Sequence, residues 1–362
     1  GVATEIPYDD AYTTLVTVRR GFGFLIGVMA LLAVFGFVSS LSIHRLGREV
    51  SEARRFGQYR LEEVIGEGGM AKVHRAQHAT LQRPVAIKLL KGDALSADDV
   101  MRFEREVKLV SQMSHKNTIR IFDYGQADDG TLFYVMELVP GINLSQLVDI
   151  AGALPPGRVI SMLRQVCGSL SEAHALGIVH RDIKPANIMI CSRTDGADIV
   201  KVLDFGLART MAIASAPITR KELLGGTPAY IAPERIQDPT RLDTRSDIYG
   251  LGAVAFYLLT GREIVEGGTP QEILLKTIQA DPPRLSSLAS NLPPELDRLV
   301  RSSLSPEPEK RPQNVSMILD VLDSLGDTLA WTHDDAHEWW QRYWARTSGE
   351  RITHIRAASI EV

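Results

Sequence analysis

Two stretches of this sequence bring phosphate-handling residue types together before any fold is considered. Gly66-Glu67-Gly68-Gly69-Met70-Ala71-Lys72-Val73 lies between two strand-like runs, and its glycines would let backbone N–H groups approach phosphate oxygens with no Cβ in the way. Alone, a strand-turn-strand with three glycines is more often just a hairpin. A P-loop is excluded, because no Gly-Lys-Ser/Thr opens a following helix. Val85-Ala86-Ile87-Lys88 then sets a lysine in an otherwise apolar strand, where the cation needs a partner to offset its desolvation. Glu106 can supply one. It lies three residues after Phe103 and four before Val110, on the inward stripe of a helix, whereas Glu104 is turned away. A Lys88 to Glu106 ion pair would hold the ammonium toward the α- and β-phosphates of a nucleotide.

Farther along, His180-Arg181-Asp182-Ile183-Lys184-Pro185-Ala186-Asn187 is followed by Asp204-Phe205-Gly206 and by Ala232-Pro233-Glu234. With the glycine turn and Lys88, this ordered set resembles the eukaryotic-type Ser/Thr protein kinases of the bacterial membrane-bound sort, from about Tyr59 to Leu325. The resemblance implies an α+β fold of two lobes, a small β-rich one (58–138) and a larger α-helical one (139–325), with ATP and Mg²⁺ (Mn²⁺ as an alternative) in the cleft. It gives Asp182 the substrate hydroxyl's proton to accept or orient, Lys184 the charge on the transferring γ-phosphoryl, and Asn187 with Asp204 the metal. Such a set suits a loose transition state whose charge sits on peripheral oxygens. Lys184 and Gly226-Thr227-Pro228-Ala229-Tyr230 resemble the serine/threonine branch, so the implied substrates are protein Ser/Thr hydroxyls, and Thr227 is expected near Asp182 and Lys184.

The same resemblance assigns scaffold and pocket. Glu234 would pair with Arg311, and Asp247 would hold the catalytic-loop backbone. Gly66, Gly68 and Gly69 would cover the phosphates, Ile65, Val73 and Ala86 would lie above adenine and Met189 below it, and Met136 would be the gatekeeper. Glu137 and Val139 would offer backbone hydrogen bonds. Arg181 resembles the arginine of kinases switched on by activation-segment phosphorylation, where a phosphate would pair with the guanidinium. Thr210, Ser215 and Thr219 are the hydroxyls in reach, with Thr219 or Ser215 expected to be autophosphorylated. Two departures occur: Ala71 stands where the family's third glycine usually is, and His74 stands where an aromatic residue is common. A catalytically dead scaffold kinase would usually lack Lys88, Asp182 or Asp204, and all three are present. A small-molecule kinase of related fold fits poorly with the protein-substrate platform around Gly226–Tyr230 and Ala232–Glu234.

The elements that must position these groups are legible as runs. Tyr59–Ile65, Lys72–Gln77, Val85–Leu90, Thr118–Tyr124 and Leu132–Glu137 read as strands. Between them a helix opens at a Ser96/Asp99 capping box and carries Val100, Phe103, Val107 and Val110 on one face. After Val139 the pattern is helical, with Val159, Leu163, Val166, Leu170 and Ala173 on one face and Ile248, Leu251, Ala255 and Leu258 on another. From about Gly326 to residue 362 a tail carries Trp331, Trp339, Trp340 and Trp344, as a helix with an aromatic face that docks on the chain's own α-lobe or else meets a partner or membrane.

Composition bounds the rest. In 362 residues, 44% hydrophobic and 23% charged side chains exclude wholesale disorder, and a net charge of -4 gives no pull toward nucleic acid. Cys167 and Cys191 have neither disulfide-framework nor metal-ligand spacing and read as reduced structural thiols. Residues 21–43, following an N-terminal segment (1–20), carry no ionisable side chain and are long enough to cross a bilayer as a helix. Arg45, Arg48, Arg54 and Arg55 after the run, against Arg19 and Arg20 before it, favour a cytoplasmic C-terminal side across a juxtamembrane linker (44–57). The chain begins at Gly1, as a processed or truncated piece would. A homodimer is compatible with this organisation, although no residue pattern specifies one.

Overall fold

The computed structural model describes residues 55–68, 71–90, 96–127, 129–192, 196–206, 228–265, 267–279, 284–288, 292–326 and 328–347. The chain divides into two compact units, Gly1–Phe56 and Gly57–Val362. In the first, the two-residue strand β1 (Arg55–Phe56) occupies the end of the expected linker. Residues 21–43 lie outside the described residues, and no described helix is long and apolar enough to cross a membrane.

In the second unit, β2 (Tyr59–Glu67), β3 (Ala71–His78), β4 (Pro84–Leu90), β5 (Ile121–Gln126) and β6 (Leu132–Glu137) build an antiparallel sheet in the order β2-β3-β4-β6-β5. The expected fourth run starts at Ile121 rather than Thr118, because Asn117 to Ile119 bond instead to the segment around Val202. Register is tight where it matters: Lys88 sits opposite Val73 on one side and Tyr134 on the other. Helix α1 (Ala97–Ser111) opens with the expected capping box, in which the Asp99 N–H donates to Ser96 Oγ at 3.2 Å and the Ser96 N–H to Asp99 Oδ2 at 3.0 Å. Losing such a cap costs about 1 kcal/mol. Phe103, Val107 and Val110 are buried, which fixes the face of α1 that meets the sheet.

The larger half is helical. A three-stranded sheet, β7 (Gly141–Asn143), β8 (Ile188–Ser192) and β9 (Asp198–Val202), leads from the lobe connection into the segment that carries Asp204. Around it stand α2 (Leu144–Ala151), α3 (Pro156–Ala175), α4 (Pro233–Gln237), α5 (Arg245–Thr260), α6 (Pro270–Gln279), α7 (Pro294–Ser303) and α8 (Val315–Gly326). Helix α3 buries Val159, Leu163, Val166, Leu170 and Ala173, the face expected from their spacing. Helix α5 is apolar almost all round and is the core of the half, as a helix buried on every side must be.

The aromatic tail folds back as α9 (His333–Thr347) onto α3 and the β8–β9 hairpin. Trp340 is buried, and its indole N–H donates to Asp198 Oδ1 at 2.7 Å; Trp331 donates to Asp198 Oδ2 at 3.0 Å. The Arg158 guanidinium forks onto the same carboxylate at 2.9 and 3.1 Å and lies 4.2 Å from the Trp339 ring centre. Of the two docking surfaces the sequence left open for this aromatic face, the chain's own helical half is the one in use.

Candidate active site

Asp204 is where the two halves meet chemically. It follows β9 with φ 52°, a left-handed backbone that costs a non-glycine residue about 1–3 kcal/mol unless its surroundings hold it there. Here the holding groups come from the sheet. Lys88 Nζ on β4 is 2.9 Å from Asp204 Oδ2, and the Tyr134 hydroxyl on β6 donates to Asp204 Oδ1 at 2.6 Å. Burial alone would raise the Asp204 carboxyl, but the Lys88 ammonium and the Tyr134 hydroxyl outweigh it and hold the group below the ordinary aspartate range. Burial, reinforced by the adjacent carboxylate, pushes the Tyr134 phenol well above its ordinary value, so it remains a donor. Gly206, at φ 63°, closes the turn with its N–H on the Asp204 carbonyl, and a Cβ there would meet the His180 carbonyl at 3.0 Å.

The expected Lys88 to Glu106 pair is not the one formed. Lys88 spends its charge on Asp204, while Glu106 Oε1 lies 3.8 Å from Arg181 Nη1. Glu106 lies beside the buried face of α1 that Phe103, Val107 and Val110 mark, with its side chain 24% exposed. The helix face is thus right and the cation is different: the arginine of the catalytic loop, a long side chain from the other half, reaches this carboxylate.

The loop from His180 to Asn187 is held by its own backbone and by α5. Asp247, buried on α5, accepts the N–H of His180 at 2.8 Å and of Arg181 at 2.8 Å, and bonds His174 Nε2 at 2.9 Å. Burial would raise its carboxyl, but the His174 hydrogen bond and the backbone donors keep it below the ordinary range. The two backbone bonds support Arg181 at φ 68°, and the Arg181 carbonyl accepts from the Arg235 guanidinium. His180 is buried, which lowers its basicity and leaves it neutral. Its Nε2–H donates to the Leu203 carbonyl at 2.7 Å, so Nδ1 is free to accept the Asp182 N–H at 3.2 Å. One imidazole therefore ties the loop to the segment that carries Asp204.

Within the loop, Asn187 Nδ2 donates to the Asp182 carbonyl at 2.8 Å and to Asp182 Oδ2 at 2.9 Å, and Lys184 Nζ is 3.3 Å from the same Oδ2. Asp182, Lys184 and Asn187 are one cluster. For a divalent cation the available oxygen donors would be the Asp204 carboxylate and Oδ1 of Asn187, the amide atom not directed at Asp182. Among the described residues no group of three or more His, Cys, Asp or Glu could hold a metal by itself. A carboxylate with an amide oxygen is the sparse hard-donor set of a cation that completes its shell with substrate phosphates and water, and Mg²⁺ and Mn²⁺ both accept it.

Ile65, Val73, Ala86, Met136, Val139 and Met189 are all buried. The Glu137 N–H is spent on the Arg120 carbonyl and the Val139 carbonyl accepts from Gly141, leaving the Glu137 carbonyl and the Val139 N–H as the groups to offer a base. The Glu137 carboxylate pairs with Lys201 at 2.9 Å. Gly66 and Gly68 frame the β2–β3 turn, where the Gly68 N–H bonds the Ala71 carbonyl. Gly69, Thr210, Ser215, Thr219 and Thr227 lie outside the described residues. Glu234 and Arg311 form a buried fork at 2.7 and 2.8 Å, with Ser246 Oγ on the same carboxylate. The reading of the sequence missed Tyr134, although a phenol flanked by Phe133 and Val135 on an apolar strand needs a polar partner when buried.

Known proteins match this chain over the same elements. The family model described as "Protein kinase domain" matches residues 59–321. The chain is 40% identical over 273 residues to "Serine/threonine-protein kinase pkn3" of Myxococcus xanthus, covering 74% of this chain and 50% of that protein. It is 36% identical over 263 residues to "Serine/threonine-protein kinase PknB" of Mycolicibacterium smegmatis, covering 72% and 41%. The chain thus spans about half or less of the length of these relatives. Among solved structures, the Mycobacterium tuberculosis PknI kinase domain aligns with TM-score 0.59 at 26% identity, over 75% of this chain and 97% of that one. Rad53 1-466 in complex with AMP-PNP aligns with TM-score 0.60 at 25% identity, over 73% and 64%.

Proposed function

The chain belongs to the protein kinase domain family, in the eukaryotic-type Ser/Thr branch found in bacteria, and on that premise we propose that it transfers the γ-phosphoryl of ATP to serine and threonine hydroxyls of proteins. The observation that carries the proposal is the convergence of Lys88 and Asp204 at 2.9 Å beside the Asp182, Lys184 and Asn187 cluster. Asp182 orients the acceptor hydroxyl and takes up its proton as the new O–Pγ bond forms and the bond from Pγ to the β-phosphate oxygen breaks, releasing ADP. Lys184, beside it, stabilises charge on the moving phosphoryl, and Lys88 holds the α- and β-phosphates. Asn187 and Asp204 would hold Mg²⁺, which when bound supplies charge neutralisation on the phosphate oxygens. Exchange of Lys88 and Arg181 as partners of Glu106 would accompany nucleotide binding.

Arg181 is the reader of a phosphate on the activation segment, on Thr219, Ser215 or Thr210. Mass spectrometry of active protein with that segment unmodified would remove this part. Residues 21–43 tether the catalytic unit to a membrane with its kinase side in the cytoplasm, which rests on their lack of ionisable side chains and on the arginines that follow. The core proposal is tested by incubating the protein with ATP, Mg²⁺ and a panel of Ser-, Thr- and Tyr-containing peptides. Phosphate on serine and threonine alone supports it, and no transfer above an Asp182→Asn control leaves a scaffold instead of an enzyme.

A further inference from the structure

Tyr134 is used by none of the roles above, yet it touches the residue on which they turn. On β6 it stands directly opposite Lys88 of β4. Opposite residues of an antiparallel pair share a face, with Cβ atoms about 4.5–5.5 Å apart. The ammonium and the phenol therefore reach one carboxylate side by side, Lys88 on Oδ2 at 2.9 Å and Tyr134 on Oδ1 at 2.6 Å. The ring is only 2% exposed, and among the described residues the hydroxyl's hydrogen bond is to Asp204 alone. Phenylalanine would fill nearly the same space, so what the hydroxyl adds is that bond.

Its geometric effect is specific. An aspartate carboxylate turns through a broad, two-fold torsion about its terminal bond. A single anchor on one oxygen leaves that rotation open, whereas donors on both oxygens close it. An ionised carboxylate has about four lone-pair sites, so one donor on each oxygen still leaves a site on each for a cation. Partners of this kind behind a metal-binding carboxylate are worth about 10–100-fold in metal affinity.

We propose that Tyr134 is a positioning residue for Asp204, its hydroxyl fixing the carboxylate in the orientation that receives the nucleotide's divalent cation. The inference rests on the kinase reading of the cleft. The test is calorimetric titration of ADP into the full chain, wild type and Tyr134→Phe, once with Mg²⁺ and once with EDTA. Tyr134→Phe is expected to leave the affinity in EDTA within about twofold and to weaken the Mg²⁺-supported affinity by about 10-fold or more. A merely structural role would move both arms together. Tyr134→Met, which also lacks the hydroxyl, gives the same selective loss and serves where the phenylalanine variant melts before titration. Equal losses in both arms, no loss, or tighter binding with Mg²⁺ would each overturn the inference. If wild type itself gains nothing from Mg²⁺, the kinase reading falls rather than the role of Tyr134 alone.

Discussion

Replacing Asp198 by asparagine should loosen α9 from the helical half while barely changing side-chain volume. The wild-type carboxylate, 3% exposed, accepts four N–H groups: Arg158 Nε at 2.9 Å and Nη2 at 3.1 Å, Trp331 Nε1 at 3.0 Å and Trp340 Nε1 at 2.7 Å. Asparagine keeps one acceptor oxygen and turns an NH₂ toward donors that need an acceptor. It also leaves Arg158, 1% exposed, with no counter-charge. Removing one partner of such a buried pair costs about 3–5 kcal/mol. The two orphaned donors, at about 1–3 kcal/mol each, belong to that same loss and do not add to it. The expected penalty is therefore about 3–5 kcal/mol, or a fall in Tm of about 5–8 °C. Urea unfolding followed by indole fluorescence reads it directly, because the four tryptophans all lie on α9 or just before it. Arg158→Met in the Asp198→Asn background removes the stranded charge, so the double variant should be less damaged than the sum of the singles by about 1–3 kcal/mol. A single-variant loss below about 1 kcal/mol, or strict additivity, would refute the claim that this ion pair anchors the tail.

Asp243 is clamped by Arg245 through bonds at 2.9 Å, and those bonds depress its carboxyl to about 2. A depressed acid stabilises the fold fully above its ordinary value of 3.8 and loses that contribution as pH falls through the folded value. The Tm deficit of Asp243→Asn should therefore be constant near neutrality and shrink between about pH 4 and pH 2; a deficit independent of pH over that window would contradict the assignment. Burial pushes the Cys191 thiol up to about 11 and Cys167 higher still. Both should resist iodoacetamide in native protein near pH 7.5 and react in urea, as mass spectrometry would show; rapid native labelling of the half-buried Cys191 would count against its raised thiol.

The strands of the smaller half are legible because alternation and glycine punctuation are local, and all five occur within a few residues of where the sequence places them. Helix α1 is legible for the same reason, since Ser96 and Asp99 cap it and Phe103, Val107 and Val110 mark its buried face. The order of the chemical groups along the chain was enough to suggest one cleft. Partner choice was not legible. Spacing sets Glu106 beside the inward stripe, but which cation meets it depends on how α1 packs against the catalytic loop, and among the described residues Arg181 reaches it. Tyr134 and Asp204 are 70 positions apart, and no periodicity links a phenol on one strand to a carboxylate beyond another. Likewise nothing near Asp198 in the sequence announces Arg158, 40 positions earlier, or Trp340, 142 later. These are consequences of chain topology, and they appear only once the sheets and helices are assembled.

The central claim is that Asp182, Lys184, Asn187, Lys88 and Asp204 act as one phosphoryl-transfer site. Single-turnover transfer of labelled γ-phosphate from ATP to a serine peptide, by wild type and by Asp182→Asn and Lys88→Met, tests it most directly. Asp182→Asn should melt within a few degrees of wild type and Lys88→Met lower, because it strands the buried Asp204 carboxylate; each, while still folded, should transfer phosphate at least about 10²–10³-fold more slowly, the scale of removing one well-placed charge-stabilising group. Wild-type rates in either folded variant would contradict the account.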